Sequence, residues 1–322
     1  MPDFDVFNGD ADGICALHQL RLAEPRESVL VTGVKRDIAL LQQVEAVRGD
    51  AVTVLDISMD KNRDDLQRLL NAGAQVQYFD HHFAGDIPDT PQLDAHIDTS
   101  AEVCSSLLVN RHLQGAYLPW AVVAAFGDNL FDAARKVAEP LGLDAAALAE
   151  LEQLGTLINY NAYGVTLADL HIAPAQLYRE ISSYADPFAF IAQSPAYQTL
   201  ARGYADDIAH TEALQPAVDE PEIALYLLPD AAWTRRIGGV FGNMLARRAP
   251  ARAHALLTLL PDGGYRVSVR APLENKAGAD ELCMQFPSGG GRKGAAGINH
   301  LPADRYDDFV RAFRAMYCKA AA

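Results

Sequence analysis

The sequence predicts an α/β protein of two lobes: an N-terminal parallel-sheet domain with helices on both faces, a helical connector, and a smaller α/β C-terminal domain. Three observations carry that prediction. Four short apolar runs at the start of the chain are separated by segments of helical spacing, the pattern of βαβ units. The stretch 100–210 is rich in Ala and Leu at three-to-four spacing, which reads as helix. An aperiodic stretch with Pro and acids, 214–222, then precedes a region where strands and helices resume. The domains expected are 1–210, including the connector, and 215–322. A chain of 322 residues accommodates one large or two medium domains.

Each element follows from local composition. Residues 4–8 form a strand-like run, followed by the turn-rich Gly9-Asp10-Ala11-Asp12-Gly13. Helical spacing covers 14–22. The next strand is 29–31, with a helix over 38–47. A third strand, 52–55, ends at Asp56, and a helix covers 60–71. The fourth strand, 75–79, carries Val76, Tyr78 and Phe79 and runs into Asp80-His81-His82. Segments 101–113, 119–126, 144–158 and 175–205 read as helices. Beyond the boundary come a strand at 223–228 and a helix at 237–248. Two further strands, 253–260 and 265–269, are joined as a hairpin by Pro261-Asp262-Gly263-Gly264. A helix at 278–284 precedes the loop Ser288-Gly289-Gly290-Gly291-Arg292-Lys293-Gly294, and a final helix spans 303–317.

Composition narrows the classes. Hydrophobic residues make up 50% and mean hydropathy is −0.03, as for a globular protein with a full core. No window reaches the roughly 18 apolar residues of a membrane span. The acidic start lacks the basic and apolar regions of a signal peptide. A cytoplasmic protein without a membrane partner is therefore expected. Cys15, Cys104, Cys283 and Cys318 are scattered without CxxC spacing, which argues against a zinc ribbon and a disulfide framework. Formal net charge is −15, and the excess of acids lies within residues 1–210, the remainder being slightly basic. Long nucleic acid is attracted by a continuous basic track. The expected partner is instead a small phosphorylated substrate or a short oligonucleotide.

The acids cluster at strand ends. Asp10 and Asp12 flank one residue, so in an extended segment both carboxylates point the same way. Gly9 and Gly13 let the backbone bend tightly. Asp-x-Asp-Gly also opens calcium loops, but Ile14, Cys15 and Ala16 stand where an EF-hand would need further acids. Asp56 ends a buried strand, with Ser58 and Asp60 better placed to cap the next helix. Asp128 follows Gly127 and reads equally as cap or ligand. Asp80-His81-His82 lies at a carboxyl strand end, where open α/β sheets bind ligands. Carboxylates with imidazoles suit manganese, iron or zinc, and the carboxylate excess leans toward manganese or magnesium. Four Asp with one or two His suffice for a dinuclear centre that activates water for phosphoryl displacement. No Gly-x-Ser-x-Gly or Walker-type motif competes.

A second phosphate signal lies near the end of the chain. Consecutive glycines let backbone N–H groups approach an anion, and Arg292 and Lys293 add positive charge beside Gly290 and Gly291. Ser268 and Arg270 share one strand face as another anion-binding pair. These six residues form the expected substrate-side set. Lys35 and Arg36, after the second strand, could face the cleft, although a surface position is the first expectation, and the polar run Asn159-Tyr160-Asn161 finds no role.

The ordered set Asp10-x-Asp12-Gly13, Asp56, Asp80-His81-His82 and Gly127-Asp128 resembles the four motifs of the DHH superfamily of phosphoesterases. Residues 289–297 resemble the Gly-rich signature of the DHH-associated C-terminal domain. The resemblance thus covers nearly the whole chain, and it extends to RecJ-type exonucleases and oligoribonucleases. It implies a two-lobed enzyme with a manganese pair in the cleft. By position, Asp10, Asp12, Asp56, His81 and Asp128 correspond to metal ligands. His82 corresponds to a group that polarises phosphate or protonates the leaving group, and Asp80 supports His81 or its neighbour from behind. Two positions depart from the pattern. Many relatives have a His where this chain has Val6, although RecJ-like members also lack it. Relatives commonly have a His where this chain has Arg292, which cannot exchange a proton at neutral pH. The leading expectation is a metal-dependent phosphoesterase for a small nucleotide or short oligonucleotide. The alternatives are a processive single-strand exonuclease or polyphosphate-type hydrolase, and a catalytically silent nucleotide-binding protein.

Overall fold

The computed structural model describes residues 3–318. They divide into two compact units, one up to Gly203 and one from Tyr204 onward. The first unit is built on a five-stranded parallel sheet. Its strands are β1 (Asp3–Phe7), β2 (Ser28–Thr32), β3 (Ala51–Leu55), β4 (Gln75–Asp80) and β5 (Leu93–Ile97), in the order β2-β1-β3-β4-β5. Helix α1 (Ala11–Ala23) joins β1 to β2, and α2 (Arg63–Ala72) joins β3 to β4. This is a doubly wound order in which succession reverses beside β1, and such sheets bind ligands outside the carboxyl ends at the reversal.

Helices cover both faces of this sheet. Leu66, Leu69 and Leu70 of α2 pack with Val6, Val52, Val54, Val76 and Tyr78 on one side. On the other side Arg21 of α1 donates to Asp5 of β1, at 2.9 Å through Nε, and to Thr53 Oγ1 at 3.0 Å. The rest of the unit is helical: α3 (Ser105–His112), α4 (Leu118–Gly127), α5 (Phe131–Ala138), α6 (Ala145–Asn161), α7 (Pro174–Ile181) and α8 (Pro187–Gln193). Helix α9 (Pro195–Glu212) runs across the division between the units. Every residue of α4 from Trp120 to Gly127 is buried, so its sequence is apolar all round. No helix among the described residues is long and apolar enough to cross a membrane.

The segment expected as one helix over 175–205 is three helices, α7, α8 and α9. Two further departures in this unit have identifiable reasons. The helix expected over 38–47 is only a 3-10 turn, Leu40–Gln43. Side chains of the following segment take its backbone groups instead. Asn62 donates to the Ile38 carbonyl at 2.7 Å and accepts from the Leu41 N–H at 3.2 Å, while Arg68 donates to the Leu41 and Val44 carbonyls. Strand β5 lies in a stretch that carried no strand signal. It is an edge strand with no fully buried residue, so its sequence lacks the apolar run of its neighbours.

The second unit holds a six-stranded mixed sheet. Its elements are β6 (Val218–Glu220), β7 (Ile223–Leu228), α10 (Ala232–Arg248), β8 (Ala253–Leu259), β9 (Tyr265–Arg270), α11 (Ala279–Cys283), β10 (Gly289–Arg292), β11 (Ala295–Leu301) and α12 (Tyr306–Tyr317). The order is β10-β11-β9-β8-β7-β6, with only β7 and β8 parallel. Ala255, Leu257, Val267, Val269, Ala296 and Ile298 share a core with Leu282 of α11 and Phe309 and Phe313 of α12. Strand β6 falls within the stretch 214–222 that lacked periodicity. The Gly-rich segment expected as a loop is the edge strand β10, paired antiparallel with β11. Glycine runs carry no strand signal of their own, because strand propensity records side-chain packing that glycine lacks.

Candidate metal centre

The carboxyl ends of β1, β3 and β4 bring the sequence-predicted acids and histidines of the first unit together. Asp10 caps α1: its Oδ1 accepts from the Asp12 and Gly13 N–H groups at 3.0 and 3.2 Å. Its Oδ2 pairs with the Lys35 ammonium. Gly9 and Gly13 have no positive φ, so a tight bend is not what requires them. A Cβ on Gly13 would collide with the Asn8 backbone, and one on Gly9 with the Gly33 carbonyl. Close approach of chain segments is therefore the reason for both.

Asp12 is fully buried, and both its oxygens accept from the N-terminus of α3, at 2.7 Å from the Ser105 and Ser106 N–H groups. The positive end of that helix favours the anion. Asp56 stands in the left-handed region at φ 58°, which costs a non-glycine residue about 1 kcal/mol or more. The turn aims its carboxylate at the cluster, where Ser105 Oγ donates to Oδ1 at 3.3 Å. Asp128 is the C-cap of α4, the helix end that disfavours a negative charge. Gly127 before it is packed so closely that a Cβ would meet Ala11 and the Gly155 carbonyl.

His81 Nε2 is the hub. It lies 3.3 Å from Asp56 Oδ1, 3.7 Å from Asp128 Oδ2 and 3.9 Å from Asp12 Oδ2. Two sets of donor atoms, each within 4.8 Å of one another, can hold a metal ion: Asp56, His81 and His82, and Asp12, His81 and Asp128. His82 Nδ1 is 2.7 Å from Asp80 Oδ1, so Asp80 orients His82 rather than His81. The other Asp80 oxygen is buried without a hydrogen-bond partner.

The electrostatics record a shortage of positive charge. Burial, then repulsion from Asp10, Asp12, Asp128 and Asp80, pushes the Asp56 carboxyl well above the usual range. Burial raises Asp128 to about 6 despite the relief that Lys35 gives. Burial also works to raise Asp10, but the Lys35 ammonium outweighs it and holds that carboxyl low. The hydrogen bond to Asp80 raises the His82 imidazole against the opposing effect of burial. Carboxylates crowded around an imidazole, with an orphaned buried oxygen behind, fit a hard to borderline divalent cation.

Sequence reading assigned neither Lys35 nor Asn159 to this cluster. Lys35, for which the surface was the first expectation and the cleft the second, turns inward. Its Nζ donates to Asp10 Oδ2 and, at 2.9 Å, to Asn159 Oδ1, and it lies 3.6 Å from Asp128 Oδ1 and 5.6 Å from the Tyr163 ring centroid. Its place shortly after β2, at the same sheet end as the acids, is the one signal that pointed there. Arg36 is exposed, as expected. The unexplained polar run divides its work. Asn159 holds Lys35, Tyr160 donates to the Gly203 carbonyl at 3.1 Å, and Asn161 binds the backbone of His171 and Ile172.

The substrate-side residues form a separate group on the second unit. Register places Ser268, Gly297 and Gly290 in one cross-strand row and Arg270, Ala295 and Arg292 in the next but one. Residues opposite or two apart share a face. Ser268, Arg270, Gly290 and Arg292 therefore lie on one face, floored by small residues. Arg270 donates to Ser268 Oγ at 3.0 Å and to Asn243 Oδ1 of α10 at 2.8 Å. Gly291, at φ 146°, points the other way, over Ala296, and Lys293 is exposed in the turn that follows.

No family model and no curated protein sequence matches the chain. Solved structures do. The exonuclease RecJ bound to manganese matches at TM-score 0.63 and 18% identity, over 98% of this chain and 89% of that one. RecJ from Thermus thermophilus, in complex with Mn2+, matches at TM-score 0.57 and 16% identity, over 98% of this chain and 51% of the longer RecJ chain. The pGpG-specific phosphodiesterase PggH from Vibrio cholerae matches at TM-score 0.58 and 14% identity, over 98% of each chain. The chain thus has the two-part α/β fold shared by RecJ and PggH, the fold that its DHH-like motifs led one to expect.

Proposed function

We propose that this protein is a manganese-dependent phosphoesterase acting on a small nucleotide or short oligonucleotide. The observation that carries the reading is that two metal-competent groups, Asp56 with His81 and His82 and Asp12 with His81 and Asp128, meet at His81 beside a hydrogen-bonded Asp80–His82 pair. Asp12, Asp56, His81 and Asp128 would hold the cation, with Asp10 beside them; magnesium is the second candidate. When bound, the cation supplies Lewis acidity and a water of lowered pKa.

The chain's own residues supply the rest. His82, kept protonated to higher pH by Asp80, donates a proton to the departing oxygen. Asp80 fixes the imidazole so that Nδ1 is engaged and Nε2 is left for the substrate. Arg270 and Arg292, with Ser268, Gly290 and Lys293, bind the substrate phosphates; two planar guanidiniums suit phosphate oxygens. Arg292 binds and does not exchange protons, which leaves proton transfer to His82.

Support for a short substrate comes from the acidic first unit and from the likeness to PggH, described as pGpG-specific. A second reading, a single-strand exonuclease, is favoured by the likeness to RecJ. Purified protein with Mn2+ is to be offered pGpG, short RNAs, 3′-phosphoadenosine phosphate, polyphosphate and a long single strand. Hydrolysis of the short substrates with the long strand intact is the expected result. Progressive shortening of the long strand would establish the exonuclease reading. No hydrolysis by protein that demonstrably binds manganese would sink both.

A further inference from the structure

We propose that the ring of Phe83 is a stacking platform for a nucleobase beside the metal centre, so that this site selects nucleotides over phosphates that carry no base. The inference rests on the phosphoesterase reading above and deepens it by naming the part of the substrate that the first unit grips.

Three observations carry it. First, Phe83 is the one aromatic side chain among the exposed large hydrophobics of the described residues, and at 72% it is the most exposed of them. Exposed aliphatic residues are ordinary on a protein surface. A bare aromatic ring presents a flat apolar face that a second planar group can cover. Second, Phe83 is placed at the site from two sides. It directly follows His82, which sets the two Cα atoms about 3.8 Å apart. Its carbonyl accepts from Ser58 Oγ at 3.4 Å, and Ser58 lies two residues beyond Asp56. Third, the loop that carries the ring is pinned. Arg63 of α2 donates through Nη2 to the Ala84 carbonyl at 2.5 Å and through Nη1 to the Asp86 carbonyl at 2.6 Å. Ala84 is buried in the core of the first unit with Ile57 and Tyr78. Gly85 takes φ 63°, and a Cβ there would collide with the Arg63 guanidinium.

The carbonyls of Phe83, Ala84 and Asp86 are thus tied down while the ring stays in solvent. Such a surface is ordered before its ligand arrives, which lowers the cost of binding. Every nucleobase has a π face, so an aromatic platform grips a base of any identity, whereas polyphosphate offers nothing to stack. In a nucleotide the base stands one sugar away from the phosphate. A ring one residue away from the phosphate-side histidine suits that separation.

The test separates the base from the phosphate. Isothermal titration calorimetry of the full manganese-loaded chain uses two probes: a phosphorothioate analogue of pGpG that resists hydrolysis, and the same backbone without its bases. The wild type should bind the base-bearing probe about 5–150-fold more tightly. Phe83→Ala should lose most of that difference and leave the affinity for the base-free probe unchanged. Phe83→Trp should keep the difference, and its added tryptophan emission should be quenched by the base-bearing probe alone. Phe83→Ala binding both probes as the wild type does would overturn the inference and leave the phosphoesterase reading standing. A changed oligomeric state in that variant, with probe binding unaltered, would assign the ring to a protein contact and overturn the inference likewise. No binding of either probe by the wild type would overturn that reading and the inference together.

Discussion

The two candidate regions are built on opposite plans. The acid centre of the first unit is buried and committed: Asp10, Asp12, Asp56 and Asp80 each hold defined hydrogen bonds, and α1, α3 and α4 all end in it. The basic face of the second unit is open, with Arg292 and Lys293 exposed over a glycine floor. On the proposed function, the difference follows from what each would bind. A small cation needs ligands fixed by a rigid surround. A phosphate-bearing substrate needs a flat, accessible surface and long side chains that can reach it.

Substitutions should separate the two plans. Asp56→Asn removes a ligand candidate and should lower kcat/KM by more than the roughly 10–100-fold that an outer-shell group costs, with weaker Mn2+ binding by calorimetry. Asp80→Asn should fall within that roughly 10–100-fold range. It should also move the alkaline limb of the pH–rate profile to lower pH, because Asp80 is what raises His82. An unmoved limb would remove His82 as the proton donor. Arg292→Ala, on the open face, should raise KM by about tenfold with kcat little changed, the signature of uniform binding. A fall in kcat alone would place Arg292 at the reacting phosphate instead.

Proton linkage sharpens the contrast further. The folded-state pKa of Asp128 is raised, to about 6 from an ordinary 3.8. In the metal-free chain its contribution to stability is full below about pH 4 and is lost as pH rises through 6. Manganese requires the ionised form, so metal binding should weaken as pH falls below about 6. Thermal melts with and without Mn2+ should therefore diverge increasingly between about pH 4 and 7. Melts that stay parallel would exclude Asp128 as a ligand.

Packing gives the smallest effects. Gly127→Ala introduces a methyl against Ala11 and the Gly155 carbonyl and should cost about 1–3 kcal/mol in denaturant unfolding. Gly290→Ala meets open space at a φ outside the left-handed region and should change stability by about 0.5 kcal/mol or less. Equal costs at the two sites would contradict the difference between a closed and an open region.

Much of the first unit was legible in the sequence because its signals are local. Buried parallel strands are apolar runs, and Asp10, Asp56 and Asp80-His81-His82 stand where those runs stop. The segment 38–47 misled because helical spacing cannot reveal that Asn62 and Arg68 would take its backbone groups. The Gly-rich segment misled because its strand identity comes from pairing with β11, not from its own side chains.

The sequence by itself determined which groups exist and in what order they reach the sheet's carboxyl edge, since strand period and turn chemistry act over a few residues. Only the tertiary structure decided their partners. It sent the Asp80 carboxylate to His82, made Asp128 both the C-cap of α4 and a member of the cluster, and turned Lys35 inward. The Lys35–Asn159 bond joins residues 124 positions apart. No local pattern encodes such a contact, because it exists only once helix packing has excluded water and left an ammonium no better place than among the carboxylates.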